Sequence, residues 1–212
     1  MTTLTRALHA LSPEPLPFAP DLHIRAFLLE REQGNVLVYS AKGLSRDARA
    51  IEDLGGASRH YLNHRHEAMF ASDAVTAPLF VHENERRRVS EAYHVRGTFS
   101  RRHTLDEDFE VIPTPGHTSG ATAYLWDSGE HRYLFTGDTI YLSDGEWVAA
   151  VLDSSDRAAY LESLELIRGL DFDVLVPWAA TAGQPYQAAT DADDARRRID
   201  AIVERVRRAD DG

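Results

Sequence analysis

Short apolar runs separated by polar turns recur along the chain and predict β-strands. Two pairs of runs flank turn residues and predict β-hairpins, residues 22–30 with 36–39 about Gly34-Asn35 and residues 121–126 with 132–135 about Asp127-Ser128-Gly129. Single strands are predicted at residues 60–63, 79–82, 109–112 and 174–176.

Three segments carry helical periodicity instead. Ser45 is placed to cap a helix that ends at Gly55-Gly56, and a second helix is predicted from about Asp156 to Arg168. The last helix, about Asp191 to Arg208, has Ile199, Ile202, Val203 and Val206 on one face. Strands and helices that do not strictly alternate indicate a layered α/β or α+β architecture.

Length and composition narrow the class of protein. With 212 residues and 43% hydrophobic content, residues 1–212 are predicted to form a single domain around one core. The net charge of -11 would repel a phosphate backbone, so nucleic acid is not an expected partner. No cysteine is present, so disulfides and thiolate ligands are excluded. No apolar run has the length of a signal peptide or membrane span, which predicts a cytoplasmic protein without membrane contact. Oligomeric state does not follow from the sequence.

Four residues at the ends of predicted strands suggest a metal site: His64, His66, His117 and Asp138. Two histidines one residue apart in extended backbone project to the same side and can chelate one ion. Three histidines with an open position form the ligand set of a mononuclear hydrolytic zinc, which lowers the pKa of a bound water to about 7. The alternative is that these side chains only satisfy one another and the backbone through hydrogen bonds.

The order of these motifs resembles the metallo-β-lactamase superfamily of hydrolases, which includes glyoxalase II-like thioesterases. The matching segments are Asn63-His64-Arg65-His66, Thr114-Pro115-Gly116-His117-Thr118 and Thr136-Gly137-Asp138-Thr139. The resemblance implies an α+β fold, a four-layer αβ/βα sandwich of two mixed β-sheets flanked by helices, with the metal site at one edge.

The sequence departs from the family pattern on one side of the implied site. Ala68-Met69 stand where the family has Asp-His, Trp178 lies where a late Gly-His is expected, and no histidine follows His131. Glu67 is a poor substitute, because in extended backbone it would point to the opposite side. The resemblance therefore implies a degenerate second metal site. One divalent ion is expected, with zinc favoured over iron and manganese.

Two hypotheses about function follow. The first is a hydrolase of small esters, thioesters or amides in which His64, His66, His117 and Asp138 bind one ion, and Asp138 either completes the ligand set or acts as the catalytic base. The second is a catalytically inactive protein that keeps the fold for binding or regulation. It predicts that Trp178 and Met69 pack inward over the vacated second site.

Overall fold

The computed structural model of the protein describes the structure of residues 1–208. The chain divides into two compact units, residues Met1–Ser100 and a second unit that begins at Arg101. The single domain expected from the sequence stays a prediction. No helix within residues 1–208 is both long and apolar enough to cross a membrane.

The first unit is built mainly on a mixed sheet. Its strands are β1 (Thr2–Thr3), β2 (Leu8–Ala10), β3 (Glu14–Leu16), β4 (Ala19–Ile24), β5 (Phe27–Leu29), β6 (Val36–Val38), β7 (Arg59–Tyr61), β8 (Leu79–His82) and β9 (Val95–Phe99). Seven of them form one sheet in the order β1-β2-β5-β6-β7-β8-β9. Strands β1 to β6 pair antiparallel within it, and β6 to β9 pair parallel, while β3 and β4 form a separate hairpin.

The predicted hairpin about Gly34-Asn35 is present, with Leu28 opposite Leu37. Residues 22–24, however, belong to strand β4 in the separate hairpin rather than to this one. Every residue of β5 and β6 is buried, since strands inside a mixed sheet are covered on both faces. These two strands form the centre of the first unit.

Helix α1 spans Gly43–Asp53, and it begins before the predicted cap at Ser45. The first hydrogen bond of the helix runs from the Leu44 N–H to the carbonyl of Ala41. The Ser45 hydroxyl does not cap the helix, because it lies 2.7 Å from the Ser72 hydroxyl and is hydrogen-bonded to it. A six-residue 3-10 helix, Arg65–Phe70, follows β7, and the short helix α2 spans Arg86–Val89.

The second unit contains a further mixed sheet and two long helices. Its elements are β10 (His103–Leu105), β11 (Phe109–Pro113), β12 (Thr122–Asp127), β13 (Arg132–Gly137), β14 (Tyr141–Ser143), β15 (Glu146–Val148), α3 (Arg157–Arg168), β16 (Val174–Pro177), β17 (Ala179–Thr181), β18 (Ala188–Ala189) and α4 (Ala192–Arg208). The sheet order is β10-β11-β12-β13-β16-β18, in which only β13 and β16 are paired parallel. Strand β14 pairs separately with β15 and β17.

Both long helices pack the faces that their periodicity predicts. The predicted apolar faces are buried, with Tyr160, Leu164 and Ile167 on α3, and Ile199, Ile202, Val203 and Val206 on α4. They share one apolar core with strand residues such as Leu134 and Leu175. Asp156 caps α3 by accepting the Ala159 N–H at 3.0 Å, so the predicted start of this helix is confirmed. The core thus fixes α3 in place, and α3 in turn contacts the loops of its own unit that carry His117 and Asp138.

Candidate metal centre

The first pair of candidate ligands follows strand β7. His64 is extended, with φ -156° and ψ 168°, but the 3-10 helix begins at the next residue and contains His66. The prediction that both histidines stand in extended backbone is therefore wrong. The rings nevertheless lie together, with centroids 5.0 Å apart and planes at 88°. The sequence predicted the pairing correctly and the backbone incorrectly.

Glu67 lies beside this pair and is completely buried. One carboxylate oxygen accepts the N–H groups of Asn63 at 2.7 Å and His64 at 3.1 Å, and the other accepts the Ser40 N–H at 2.8 Å. Burial raises the pKa of Glu67, and the hydrogen bonds from His64 and Ser40 oppose that rise. The extended backbone expected at Glu67 is wrong, because the 3-10 turn returns the third residue towards the start of the helix.

The second pair begins with His117, in the loop after strand β11. Gly116 has φ +145°, and a Cβ added to it would lie 2.5 Å from the Cα of Tyr160 on helix α3. The Ser163 hydroxyl donates to the Pro115 carbonyl at 2.6 Å. Only glycine allows the loop backbone at Gly116 to pack this closely against the backbone of helix α3. This packing holds the Pro-Gly turn in place.

His117 is oriented by a backbone carbonyl. Its Nδ1 lies 2.6 Å from the carbonyl oxygen of Ala150, to which only a protonated Nδ1 can donate. The ring's Nε2 then lies 3.5 Å from Oδ2 of Asp138. In the neutral ring, an imidazole lone pair faces a carboxylate, and a cation near both atoms would relieve their repulsion. The side chains therefore suit a metal ion on chemical grounds.

Asp138 is placed by the end of strand β13. The pairing of β13 with β16 shifts between Phe135 and Gly137, and Gly137 has φ +57°. The Tyr160 hydroxyl donates to the carbonyls of Asp138 at 2.9 Å and Thr139 at 2.8 Å. Burial, with the charge of Asp138, raises the pKa of Tyr160 well above its usual value, so the hydroxyl remains a donor at neutral pH.

Within residues 1–208, the set of histidine and acidic side chains that could hold a metal ion consists of His64, His66, His117 and Asp138, each offering one ligand atom. These are the four residues predicted from the sequence. Imidazole nitrogens with one carboxylate oxygen are donors typical of zinc and related transition metals. The set therefore suggests a divalent metal without fixing which one.

A family model described as the metallo-beta-lactamase superfamily matches residues 38–179. The chain belongs to this superfamily. A hydroxyacylglutathione hydrolase from Erwinia tasmaniensis is 47% identical over 45 residues, which are 21% of this chain and 16% of that relative. The match thus spans about one sixth of the relative's length. Superfamily membership and the donor set together fit a metal-dependent hydrolase.

Solved structures of the superfamily have the same fold. A metallo-beta-lactamase from Pontibacter korlensis has a TM-score of 0.74 at 14% identity, covering 97% of both chains. A metallo beta lactamase from Hirschia baltica has a TM-score of 0.70 at 14% identity, covering 95% of this chain and 96% of the other. At this identity the likeness concerns the fold, and it confirms the predicted α+β sandwich.

The residues that replace the family's second-site ligands behave differently from one another. Met69 is 58% exposed, so the prediction that it packs inward is wrong; it lies on the solvent side of the 3-10 helix. Trp178 is buried, directly after strand β16. Its role as a plug stays a prediction.

Proposed function

We propose that this protein is a hydrolase of small esters, thioesters or amides that works with a single divalent metal ion. The observation that carries the proposal is the face-to-face arrangement of His117 Nε2 and the Asp138 carboxylate, with Nδ1 of the ring held by a carbonyl. Membership of the metallo-β-lactamase superfamily supports it.

In this proposal His64, His66 and His117 hold the ion through ring nitrogens, and zinc is favoured over iron and manganese. When bound, such an ion supplies Lewis acidity. Asp138 completes the ligand set or accepts a proton at Oδ2 from the attacking water. Its carboxylate is 16% exposed, which leaves it accessible to a small molecule.

Thioesters are the first substrates to test. The relative from Erwinia tasmaniensis is named for hydroxyacylglutathione, which is a thioester. A small-molecule substrate is part of this proposal, and the net charge of -11 argues against nucleic acid as a partner. The cytoplasmic location predicted from the sequence is part of the same proposal.

The test is elemental analysis of the purified protein, followed by assays with generic ester and thioester substrates. We expect about one equivalent of metal. Hydrolysis should disappear on chelation and in His117→Ala, but persist in His131→Ala, which removes an exposed histidine of the same unit. The proposal is contradicted if the purified protein contains well under a tenth of an equivalent of metal and binds none when metal is added back.

A catalytically inactive binding or regulatory protein is the second candidate. It is favoured by Ala68 at a position where the family has a ligand and by the burial of Trp178. This candidate predicts turnover at background in the unchanged protein and in every variant. Saturable, chelator-sensitive hydrolysis at neutral pH would eliminate it.

A further inference from the structure

We propose that a cleft beside His66 is a carboxylate-binding site, so that the substrates of the proposed hydrolase are small esters, thioesters or amides that also carry an acidic group. The proposal rests on the proposed function and names its substrate class. The cleft is lined by residues of the first unit and has a volume of about 400 Å³. Cavities of this size hold small molecules.

The cleft adjoins one of the candidate ligands. Its lining includes His66 together with Ala68 and Met69, which stand where the superfamily pattern has Asp-His. The alanine methyl group leaves space that a carboxylate side chain would occupy. Met69, which is 58% exposed, gives the cleft a flexible apolar surface, and Ala92 adds to that surface. A substrate group that enters the cleft therefore lies next to a residue of the candidate metal centre.

Two arginines give the cleft a local excess of positive charge. Arg65 begins the 3-10 helix and Arg88 belongs to helix α2, and these two helices contact each other. Both side chains line the cleft, where they outnumber the acidic Glu91. The chain as a whole has a net charge of -11 and would repel an anion. A local cationic surface of this kind attracts an anionic substrate in spite of the overall charge.

Arg65 is held in place by Glu85, whose side chain is only 1% exposed. One carboxylate oxygen of Glu85 accepts the backbone N–H of Arg65 at 3.0 Å, and the other lies 3.6 Å from Nη1 of the guanidinium. The second separation is longer than a hydrogen bond, so the guanidinium keeps N–H donors for another acceptor. Glu85 thus orients Arg65 without using up its donors, and the side chain remains 27% exposed.

Arg88 has a weaker partner. Its Nη1 lies 3.3 Å from Oε1 of Glu91, and both side chains are more than half exposed. An exposed ion pair contributes little to stability and exchanges readily with another carboxylate. The planar guanidinium matches a carboxylate through two parallel hydrogen bonds. A substrate carboxylate can therefore take the place of Glu91 at Arg88.

The first measurement detects binding without turnover. The chain contains two methionines, Met1 and Met69, and Met69 lines the cleft. In the full chain labelled with ¹³C at the methionine methyl groups, one NMR signal therefore reports on the cleft and the other is an internal control. Met69→Leu provides the assignment. The probes are butanoate and butanamide, which have the same shape and differ in charge. Each titration is repeated with a chelator present, to distinguish binding to the arginines from binding to a metal ion.

We expect butanoate to shift the Met69 signal saturably, with and without the chelator, and to leave the Met1 signal unchanged. Butanamide should have little effect. Arg65→Gln and Arg88→Gln should each weaken butanoate binding about 10-fold, the loss expected for one charge-assisted hydrogen bond. Arg87→Gln is the matched control, because Arg87 is exposed on helix α2 and lies outside the lining of the cleft.

Three results would overturn the proposal. They are equal responses of Met69 to the two probes, equal losses of affinity in Arg87→Gln and Arg88→Gln, and binding that the chelator abolishes. Arg88→Gln changes a side chain that is 57% exposed, so this variant should fold even if Arg65→Gln does not.

The second measurement connects the cleft with the proposed function. The substrates are the acetyl thioester of mercaptobutanoate and the corresponding primary amide, compared by the release of thiol. We expect KM to be about 10-fold lower for the acid than for the amide, and this preference to disappear in Arg88→Gln. Turnover of both substrates at the same KM contradicts this proposal alone. Binding of butanoate without any turnover contradicts the proposed function alone, since the carboxylate site is then present without the hydrolase.

Discussion

The two units each present a pair of candidate ligands, but they orient these pairs by different means. In the first unit, a buried carboxylate, that of Glu67, contacts the ring of His64. In the second, the backbone of Ala150 contacts both candidate ligands. Its carbonyl accepts from Nδ1 of His117, and its N–H donates to the Asp138 carbonyl at 3.2 Å. One pair depends on buried ionisable groups, and the other depends on close backbone packing against helix α3.

This difference predicts how the free energy of unfolding should respond when each pair is disturbed. Disturbing the first unit's pair should change stability in a way that depends on pH, because His60 and Glu67 are ionisable and fully buried. Disturbing the second unit's pair should change stability equally at all moderate pH values, since it is held by a glycine contact and carbonyl hydrogen bonds. Four substitutions, two of them with matched controls, test these expectations.

The largest effect is expected from Gly116→Ala. The new Cβ would meet the backbone of Tyr160 at 2.5 Å and would also impose strain at φ +145°. Overpacking and backbone strain together should lower the free energy of unfolding by about 3 to 5 kcal/mol. Urea unfolding of the variant and of the unchanged protein measures this loss of free energy.

Gly129→Ala is the matched control for that substitution. Gly129 also has positive φ, +81°, but a Cβ there would meet nothing within 4 Å. Gly129→Ala should lower the free energy of unfolding by only about 1 to 2 kcal/mol. Equal losses in the two variants would show that contact with α3 does not hold the Pro-Gly turn.

His60→Gln should change the pH dependence of stability. Burial lowers the pKa of His60 from 6.5 to about 4, so in acid the unfolded chain takes up a proton that the folded protein resists. The stability contributed by neutral His60 is present above about pH 6.5 and is lost as pH falls towards 4, a change of about 3 kcal/mol at about 1.4 kcal/mol per unit.

The variant should therefore lose less stability in acid than the unchanged protein, because glutamine can donate to Tyr39 without titrating. Unfolding curves from about pH 7.5 to pH 4, recorded with a chelator to exclude metal effects, measure the difference. Parallel curves for the two proteins would contradict the prediction.

Tyr160→Phe should have a moderate effect that does not change with pH. It removes the hydroxyl that donates to the carbonyls of Asp138 and Thr139, and leaves them without that donor. The expected loss is about 1 to 3 kcal/mol. Tyr141→Phe, at a half-exposed tyrosine, should cost less than about 0.5 kcal/mol. A strong pH dependence in Tyr160→Phe would remove the contrast between the units.

The smallest effect is expected from Met69→Ala. The side chain is 58% exposed, so its removal should change stability by less than about 0.5 kcal/mol and leave zinc affinity unchanged. Thermal unfolding measures the change in stability, and competition with a chelator measures the zinc affinity. A loss of several kcal/mol would mean that Met69 packs inward after all, as the inactive-protein hypothesis required.

Sequence patterns predicted most of the strands and the long helices well, because each depends on local periodicity or on a short motif. The hairpins about Gly34 and Gly129 and the buried faces of α3 and α4 are examples. Ser45 failed as a cap because its hydroxyl has a distant partner, Ser72, which no local pattern reveals.

The 3-10 helix and its consequences were missed for a different reason. Six residues of mixed polarity carry no apolar period, so the sequence predicts extended backbone rather than a helix after His64. His64 and Glu67 form a capping box in the structure, but a sequence signals such a box by Ser or Thr at the first position, and histidine stands there. Ala150 lies 33 residues from His117, and Tyr160 lies 22 residues from Asp138, so these supports of the second pair leave no local sequence signal.

The contact between Gly116 and Tyr160 separates two kinds of information within one short motif. Glycine at this position is required by the packing of a loop on a helix, so selection for folding alone would retain it in a relative that had lost its metal. His117 and Asp138 carry no such requirement from the backbone. Among relatives of this chain, the glycine is therefore a marker of shared architecture, and the histidine with its aspartate is the marker of shared chemistry.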